Sequence, residues 1–147
     1  MEYKITTYNE LETMELAENI ESEKFPNMVI CLNGDLGSGK TIFTKGFAVA
    51  LGIEDNITSP TFNIIKEYPG ELTLYHMDVY RLEKDSIGLE EYFTKGGICI
   101  IEWADNITPM LPKERLDINI KVINEETRVI ELVPHGKMYE SLCENVI

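Results

Sequence analysis

Two unbroken apolar runs stand out against the alternating remainder of the chain. Met28 to Leu32 and Ile98 to Ile101 contain no polar residue, the pattern of strands covered on both faces of a sheet. Leu116, Ile118, Ile120 and Val122 instead alternate with polar neighbours and predict a half-buried strand. Asn124 to Thr127 turns that strand into another, Arg128 to Val133, and Tyr3 to Thr7 reads as a short strand at the N-terminal end. Phe62 to Tyr68 and Leu72 to Tyr80, separated by Pro69-Gly70, read as a hairpin. Leu11, Met14, Ala17 and Ile20 predict the buried stripe of a helix over roughly Glu10 to Ser22. Phe43, Phe47 and Ala50 predict a second helix that stops at Gly52. Asp85 to Lys95 suggests a short helix ending at Gly96-Gly97, and a weakly amphipathic one starts at Lys137. Pro109 and Pro112 bracket a loop, and Ile57 to Thr61 is another. Strands interleaved with helices predict an α/β fold in one domain over residues 1–147, with a mostly parallel central sheet, antiparallel additions and helices on both faces.

The link between the first apolar run and the second helix carries the chemistry. Residues 34–41 read Gly34-Asp35-Leu36-Gly37-Ser38-Gly39-Lys40-Thr41, a full match to G-x-x-x-x-G-K-[ST]. Gly34, Gly37 and Gly39 admit backbone angles that let consecutive N–H groups turn inward around an anion. Lys40 would set an ammonium against the outer phosphates, and the Thr41 hydroxyl would ligate Mg²⁺. A glycine-rich turn matching by accident is the alternative; a buried strand before it and a helix after it weigh against accident. The expected class is therefore a P-loop NTPase, with ligand beyond the carboxyl ends of the parallel strands.

Hydrolysis further needs a metal-holding carboxylate and a group that orients water. Glu102 follows the buried run Ile98 to Ile101 and would be delivered to the ligand edge, within reach of Mg²⁺ or the attacking water; the alternative is a surface glutamate past a strand end. Asp78 continues the face of Leu72, Leu74 and His76, an unusual place for a carboxylate unless a cation meets it. His76 is open between a satisfied core histidine and a functional one, and Arg81 between phosphate contact and ion pairing. Trp103, the only tryptophan, has four readings: base stacking, loop gating, a partner anchor, or core filler. Ser59-Pro60-Thr61-Phe62 is either a nucleotide-sensing switch or a plain proline turn.

Charge narrows the class. Asp and Glu number 26 against 13 Lys and Arg, a net charge of −13, which lacks the electrostatic footprint of a direct nucleic-acid binder. Three arginines, Arg81, Arg115 and Arg128, are few for a kinase that holds two phosphorylated substrates. Cys31, Cys99 and Cys143 show no C-x-x-C spacing and read as buried small hydrophobes. No apolar stretch approaches a membrane span, and the start lacks the secretory pattern, so a reducing, cytoplasmic setting is expected.

Beyond the phosphate loop, Ser-Pro-Thr-Phe (59–62), His-Met-Asp-Val-Tyr-Arg-Leu (76–82) and Ile-Glu-Trp-Ala-Asp-Asn (101–106) follow in order. With these the chain resembles the TsaE (YjeE) family, bacterial ATPases of tRNA threonylcarbamoyladenosine biosynthesis, nearly end to end. The resemblance implies ATP hydrolysis with Mg²⁺, phosphates held by Leu36, Gly37, Ser38, Gly39, Lys40 and Thr41, and metal served by Thr41 and Asp78. It implies that Glu102 serves metal or water, that Glu102, Trp103, Ala104 and Asp105 line the nucleotide, and that Glu10 and Arg128 approach it. Ile42 stands where relatives commonly carry a second threonine. The implied partners are TsaD, which transfers the threonylcarbamoyl group to tRNA, and TsaB, its scaffold; tRNA contact would be indirect, through those partners. The implied role is to reset or regulate that complex rather than to transfer the group, with Lys40, Asp78 and Glu102 carrying the hydrolysis, slow alone and stimulated by partners. The rivals are a nucleotide-gated binding module with incidental hydrolysis and a small-molecule P-loop kinase. A GTPase is disfavoured because no Asn-Lys-x-Asp motif is present.

Overall fold

The computed structural model describes residues 2–58, 65–80 and 88–147. Seven strands form one sheet in the order β1-β7-β6-β2-β5-β4-β3: β1 Tyr3–Thr7, β2 Met28–Gly34, β3 Ile65–Tyr68, β4 Leu74–Asp78, β5 Ile98–Glu102, β6 Arg115–Val122 and β7 Arg128–His135. The central four, β4, β5, β2 and β6, are parallel to one another. Antiparallel pairs close both sides, β3 on β4 at one edge and β7 with β1 at the other. The two unbroken apolar runs are the adjacent central strands β2 and β5, buried on both faces as their sequence requires.

Among the described residues three α-helices, α1 Glu10–Glu21, α2 Lys40–Ala50 and α3 Lys137–Val146, share one face. Their Leu16, Ala17, Ile20, Phe43, Phe47, Tyr139 and Leu142 pack on Met28, Ile30, Leu32, Ile98, Ile100, Leu116 and Ile118 of the sheet. Among the described residues the opposite face is covered by two 3₁₀ segments, Glu90–Thr94 and Ala104–Met110, over Val29, Cys31, Tyr75, Met77, Cys99 and Ile101. The three cysteines are free and buried, as expected. Among the described residues no helix is long and apolar enough to cross a membrane.

α1 starts where Asn9 accepts the Glu12 N–H at 2.8 Å while Glu12 Oε1 accepts the Tyr8 N–H at 2.9 Å, a reciprocal cap. Its buried stripe differs from the sequence expectation. Leu11 is exposed and Met14 half-buried, while Thr13, Leu16, Ala17 and Ile20 face inward. A strict three-residue spacing drifts by about 60° per step against a 3.6-residue helix, so Leu11 ends up roughly opposite Ile20. α1 and α2 cross closely because Gly46 has no side chain: a Cβ there would sit 2.8 Å from the Cα and carbonyl oxygen of Met14. On α2, Ala50 is half-buried and Ala48 takes the inward position beside Phe47.

The expected Asp85 to Lys95 helix is a 3₁₀ segment from Glu90; residues 85–87 lie outside the described residues. The loop expected between Pro109 and Pro112 begins later, because Pro109 belongs to a 3₁₀ segment broken at Ile107. A proline near the start of the turn after that break gives up no needed N–H. α3 buries Tyr139, Leu142 and Cys143 on one side and is anchored by the Tyr139 hydroxyl, which accepts the Val29 N–H at 2.9 Å.

Candidate functional site

Parallel strands end at one edge, and that edge collects the chemistry. β2 ends in Gly34 at the phosphate loop, β4 in Asp78 and β5 in Glu102. In the β4–β5 ladder Asp78 is the register partner of Glu102, so residues 24 apart in the chain are lateral neighbours. Glu102 is not a surface residue past a strand end: it is 3% exposed and still within the ladder.

The phosphate loop has the backbone that its glycines were expected to allow. Gly37 and Gly39 have φ of 80° and 110°, and α2 begins directly at Lys40. Gly34 is required for a different reason. A Cβ there would lie 2.6 Å from Ser38 Oγ and 2.8 Å from the Ile120 carbonyl oxygen. Ser38 is buried, with its hydroxyl lacking a hydrogen-bond partner, while Leu36 at the loop tip is 89% exposed.

Lys40 folds back over its own loop. Its Nζ donates to the Gly34 carbonyl at 2.5 Å and the Asp35 carbonyl at 3.1 Å, and lies 4.0 Å from the centre of the Trp103 ring. Burial pulls the Lys40 pKa down, while the charges of Glu102, Asp78 and Asp35 oppose that shift. Asp78 is pushed up from the usual carboxylate range, first by burial and also by the Glu102 charge; the Tyr80 N–H, which donates to its Oδ1 at 2.9 Å, pulls the other way. A desolvated carboxylate beside a second one is a place that gains by receiving a cation. Thr41, at the start of α2, is half-buried.

These features fit Mg²⁺ of one kind. Among the described residues no group of three or more His, Cys, Asp or Glu side chains is arranged to hold a metal alone. Mg²⁺ suits such a place because it keeps waters and takes phosphate oxygens, needing one or two carboxylates from the protein. Asp78, Glu102 and the Thr41 hydroxyl are the residues that would hold it.

The strand exit after Glu102 is tied down from both sides. The Trp103 N–H donates to the Leu32 carbonyl at 3.0 Å and the Val79 N–H donates to the Glu102 carbonyl at 3.1 Å. Asn106 Nδ2 donates to the carbonyls of Val79 and Tyr80, and Asn33 Oδ1 accepts the Asp105 N–H at 3.1 Å. Trp103 takes a left-handed backbone with φ of 63°, and its ring lies 4.7 Å from that of Tyr80. Ala104 is fully buried on the 3₁₀ side of the sheet, whereas Asp105 is exposed. A cavity of about 330 Å³ opens beside the loop, lined by residues including Asn33, Asp35, Trp103, Asp105, Asn119 and Lys121.

His76, left open by the sequence, contacts Glu102. The ring is fully buried and its Nε2 lies 2.5 Å from Glu102 Oε2. Arg128 starts β7 next to Thr7 of β1. Its Nε donates to the Ser38 carbonyl at 2.8 Å, and its Nη1 to the carbonyls of Asn124 and Thr127 at 2.7 and 3.0 Å. In this structure it grips the loop backbone. Glu10 opens α1 at the same edge and is exposed. Ser59 to Phe62 and Arg81 lie outside the described residues. Asn33 and Asn119 were missed by sequence reasoning, and Asn106 was seen only as the end of the run 101–106, with no role given to it; the one signal for Asn33 was an amide ending an apolar run just before Gly34.

The chain is similar to known proteins in both sequence and fold. A family model described as threonylcarbamoyl adenosine biosynthesis protein TsaE matches residues 7–130. A tRNA threonylcarbamoyladenosine biosynthesis protein TsaE of Bacillus subtilis (strain 168) is 50% identical over 146 residues, covering 97% of this chain and 92% of its own. The protein of the same name from Treponema pallidum (strain Nichols) is 44% identical over 106 residues, covering 69% of this chain and 78% of its own. A crystal structure of Bacillus subtilis YdiB matches with a TM-score of 0.86 at 47% identity, covering 99% of this chain and 94% of that one.

Proposed function

The chain belongs to the TsaE family, and from that premise we propose that it serves tRNA threonylcarbamoyladenosine biosynthesis as a Mg²⁺-dependent ATPase. The observation that carries the reading is the meeting of three groups at one sheet edge: Lys40 on the phosphate loop, and Asp78 and Glu102 as lateral neighbours on β4 and β5.

ATP enters with its phosphates in the loop of residues 36–41, whose amides and Lys40 balance the charge of the β- and γ-phosphates. Lys40 exchanges its contacts with the Gly34 and Asp35 carbonyls for phosphate oxygens. Bound Mg²⁺ would supply charge neutralisation between those phosphates, held by Thr41, Asp78 and Glu102. Glu102 orients a water toward the γ-phosphorus. As the new P–O bond forms, the bond to the β-phosphate oxygen breaks and that electron pair leaves with ADP. The water's proton passes to the surrounding carboxylate or to the released phosphate. Trp103 and Asp105 border the cavity beside the loop and serve as nucleotide or partner contacts; Arg128 holds the Ser38 carbonyl of the loop, and Glu10 approaches the nucleotide from the start of α1.

The work done with this ATP is on the TsaD–TsaB complex, to reset or regulate it between rounds. A net charge of −13 supports leaving tRNA contact to those partners. The test is ATP turnover and nucleotide affinity of Glu102→Gln, with and without TsaD and TsaB. Retained affinity with turnover lowered at least about a hundredfold supports the reading. Unchanged turnover overturns it. If turnover is lost while tRNA modification continues undiminished, ATP acts by occupancy and the protein is a nucleotide-gated module.

A further inference from the structure

We propose that His76 is a positioning residue for Glu102: its imidazole pins Oε2 of the carboxylate and so aims Oε1 at the triphosphate edge of the sheet. This rests on the hydrolytic reading above. Glu102 has three side-chain torsions and ends a buried strand beside Asp78, a carboxylate of like charge in register with it. Left to itself, that pair would splay apart. Lys40 attracts both acids, yet it must move onto phosphate when ATP binds, so it is no permanent anchor. His76 is one: it sits in β4, fully buried, with ladder partners Lys66 on β3 and Ile100 on β5 holding its backbone from either side.

The ring's two nitrogens are in unequal surroundings. Nε2 lies 2.5 Å from Glu102 Oε2, whereas Nδ1 is buried without a hydrogen-bond partner. An orphaned N–H is the rarer and costlier buried group, and a bare lone pair the more tolerable one. The arrangement therefore places the ring proton on Nε2, donating to Glu102 Oε2, with Nδ1 bare. A residue that holds a ligating side chain in one orientation in this way governs activity without touching substrate.

The experiment uses the full chain with His76→Phe and His76→Gln, each alone and combined with Glu102→Gln. Single-turnover ATP hydrolysis, KM and thermal stability are read together. His76→Phe should lower kcat on the order of tenfold to a hundredfold with KM little changed. His76→Gln, whose amide nitrogen reaches the same place, should recover much of that loss. In the Glu102→Gln background His76→Phe should add no further loss, since it acts through the missing carboxylate. An undiminished kcat in His76→Phe while Glu102→Gln is slow overturns the positioning role alone. So does an equal further loss in the Glu102→Gln background, or no recovery with glutamine in a folded protein. Wild-type turnover in Glu102→Gln instead overturns the hydrolytic reading itself. Should the phenylalanine variant not fold, ¹⁵N spectra of the nucleotide-free wild-type ring decide: a proton on Nε2 supports the proposal, and a proton on Nδ1 overturns it.

Discussion

Replacing Arg128 with alanine should loosen the phosphate loop before any nucleotide arrives. The guanidinium joins two segments: Nε and Nη2 reach the Ser38 and Gly37 carbonyls at 2.8 and 3.5 Å, and Nη1 reaches Asn124, Thr127 and Glu125 at 2.7, 3.0 and 3.3 Å. The bonds to Asn124, Glu125 and Gly37 are exposed and weigh little. The Ser38 bond, and secondarily the Thr127 bond, are sheltered. A sheltered charge-assisted bond contributes about 1.5–3 kcal/mol net, so a loss of about 2 kcal/mol is expected. For a chain of this size that lowers Tm by about 4–8 °C. If the whole loss must be made good when ATP orders the loop, affinity falls by at most about thirtyfold. Arg128→Lys keeps the charge but not the fork and should fall between. Thermal unfolding of the nucleotide-free protein, followed by calorimetric ATP titration, measures both. An unchanged Tm beside a large affinity loss would refute the clamp and make Arg128 a direct nucleotide contact.

Asp78→Asn should stabilise the nucleotide-free protein at neutral pH while impairing Mg²⁺-dependent turnover. Because the native carboxyl is raised by burial, the native state binds more protons than the unfolded one and loses stability as pH rises from the ordinary aspartate range through the raised value. Asparagine escapes that loss, so denaturation across pH should show a gap near zero in acid that opens through this window and stays open above it; a gap that narrows with rising pH contradicts the assignment. Gly34→Ala forces a Cβ against Ser38 Oγ at 2.6 Å and the Ile120 carbonyl at 2.8 Å, and should cost about 1–3 kcal/mol in urea unfolding together with weakened nucleotide binding; wild-type values for both would refute the crowding. Trp103 is the only tryptophan and has Lys40 Nζ 4.0 Å over its ring, so ATP binding should change its emission as the ammonium leaves. A full response in Lys40→Ala would show that the ring reports something else.

The sheet was legible because unbroken apolar runs have few alternatives: Met28 to Leu32 and Ile98 to Ile101 fit a doubly covered strand and little else. Glu102 was legible for the same reason, since a run of fixed direction states where its last residue goes. The stripe of α1 was misjudged because spacing by three looks helical over two positions and drifts over four. Pro109 was read as loop because a proline's tolerance depends on where a turn begins, which the sequence does not mark. The His76–Glu102 contact was beyond reach, because it requires knowing that β4 and β5 are neighbours and in which register. Arg128 came from resemblance alone, with no sign that its guanidinium would meet the carbonyls of the loop.

The most direct test of the convergence of Asp78 and Glu102 is a crystal structure of the full chain with Mg²⁺ and a non-hydrolysable ATP analogue. The ion should be ligated by Thr41 and phosphate oxygens at about 2.0–2.1 Å, with Asp78 and Glu102 both meeting it directly or through one of its waters. An ion bound to phosphate and Thr41, with either carboxylate turned away from it and from its waters, would contradict the account.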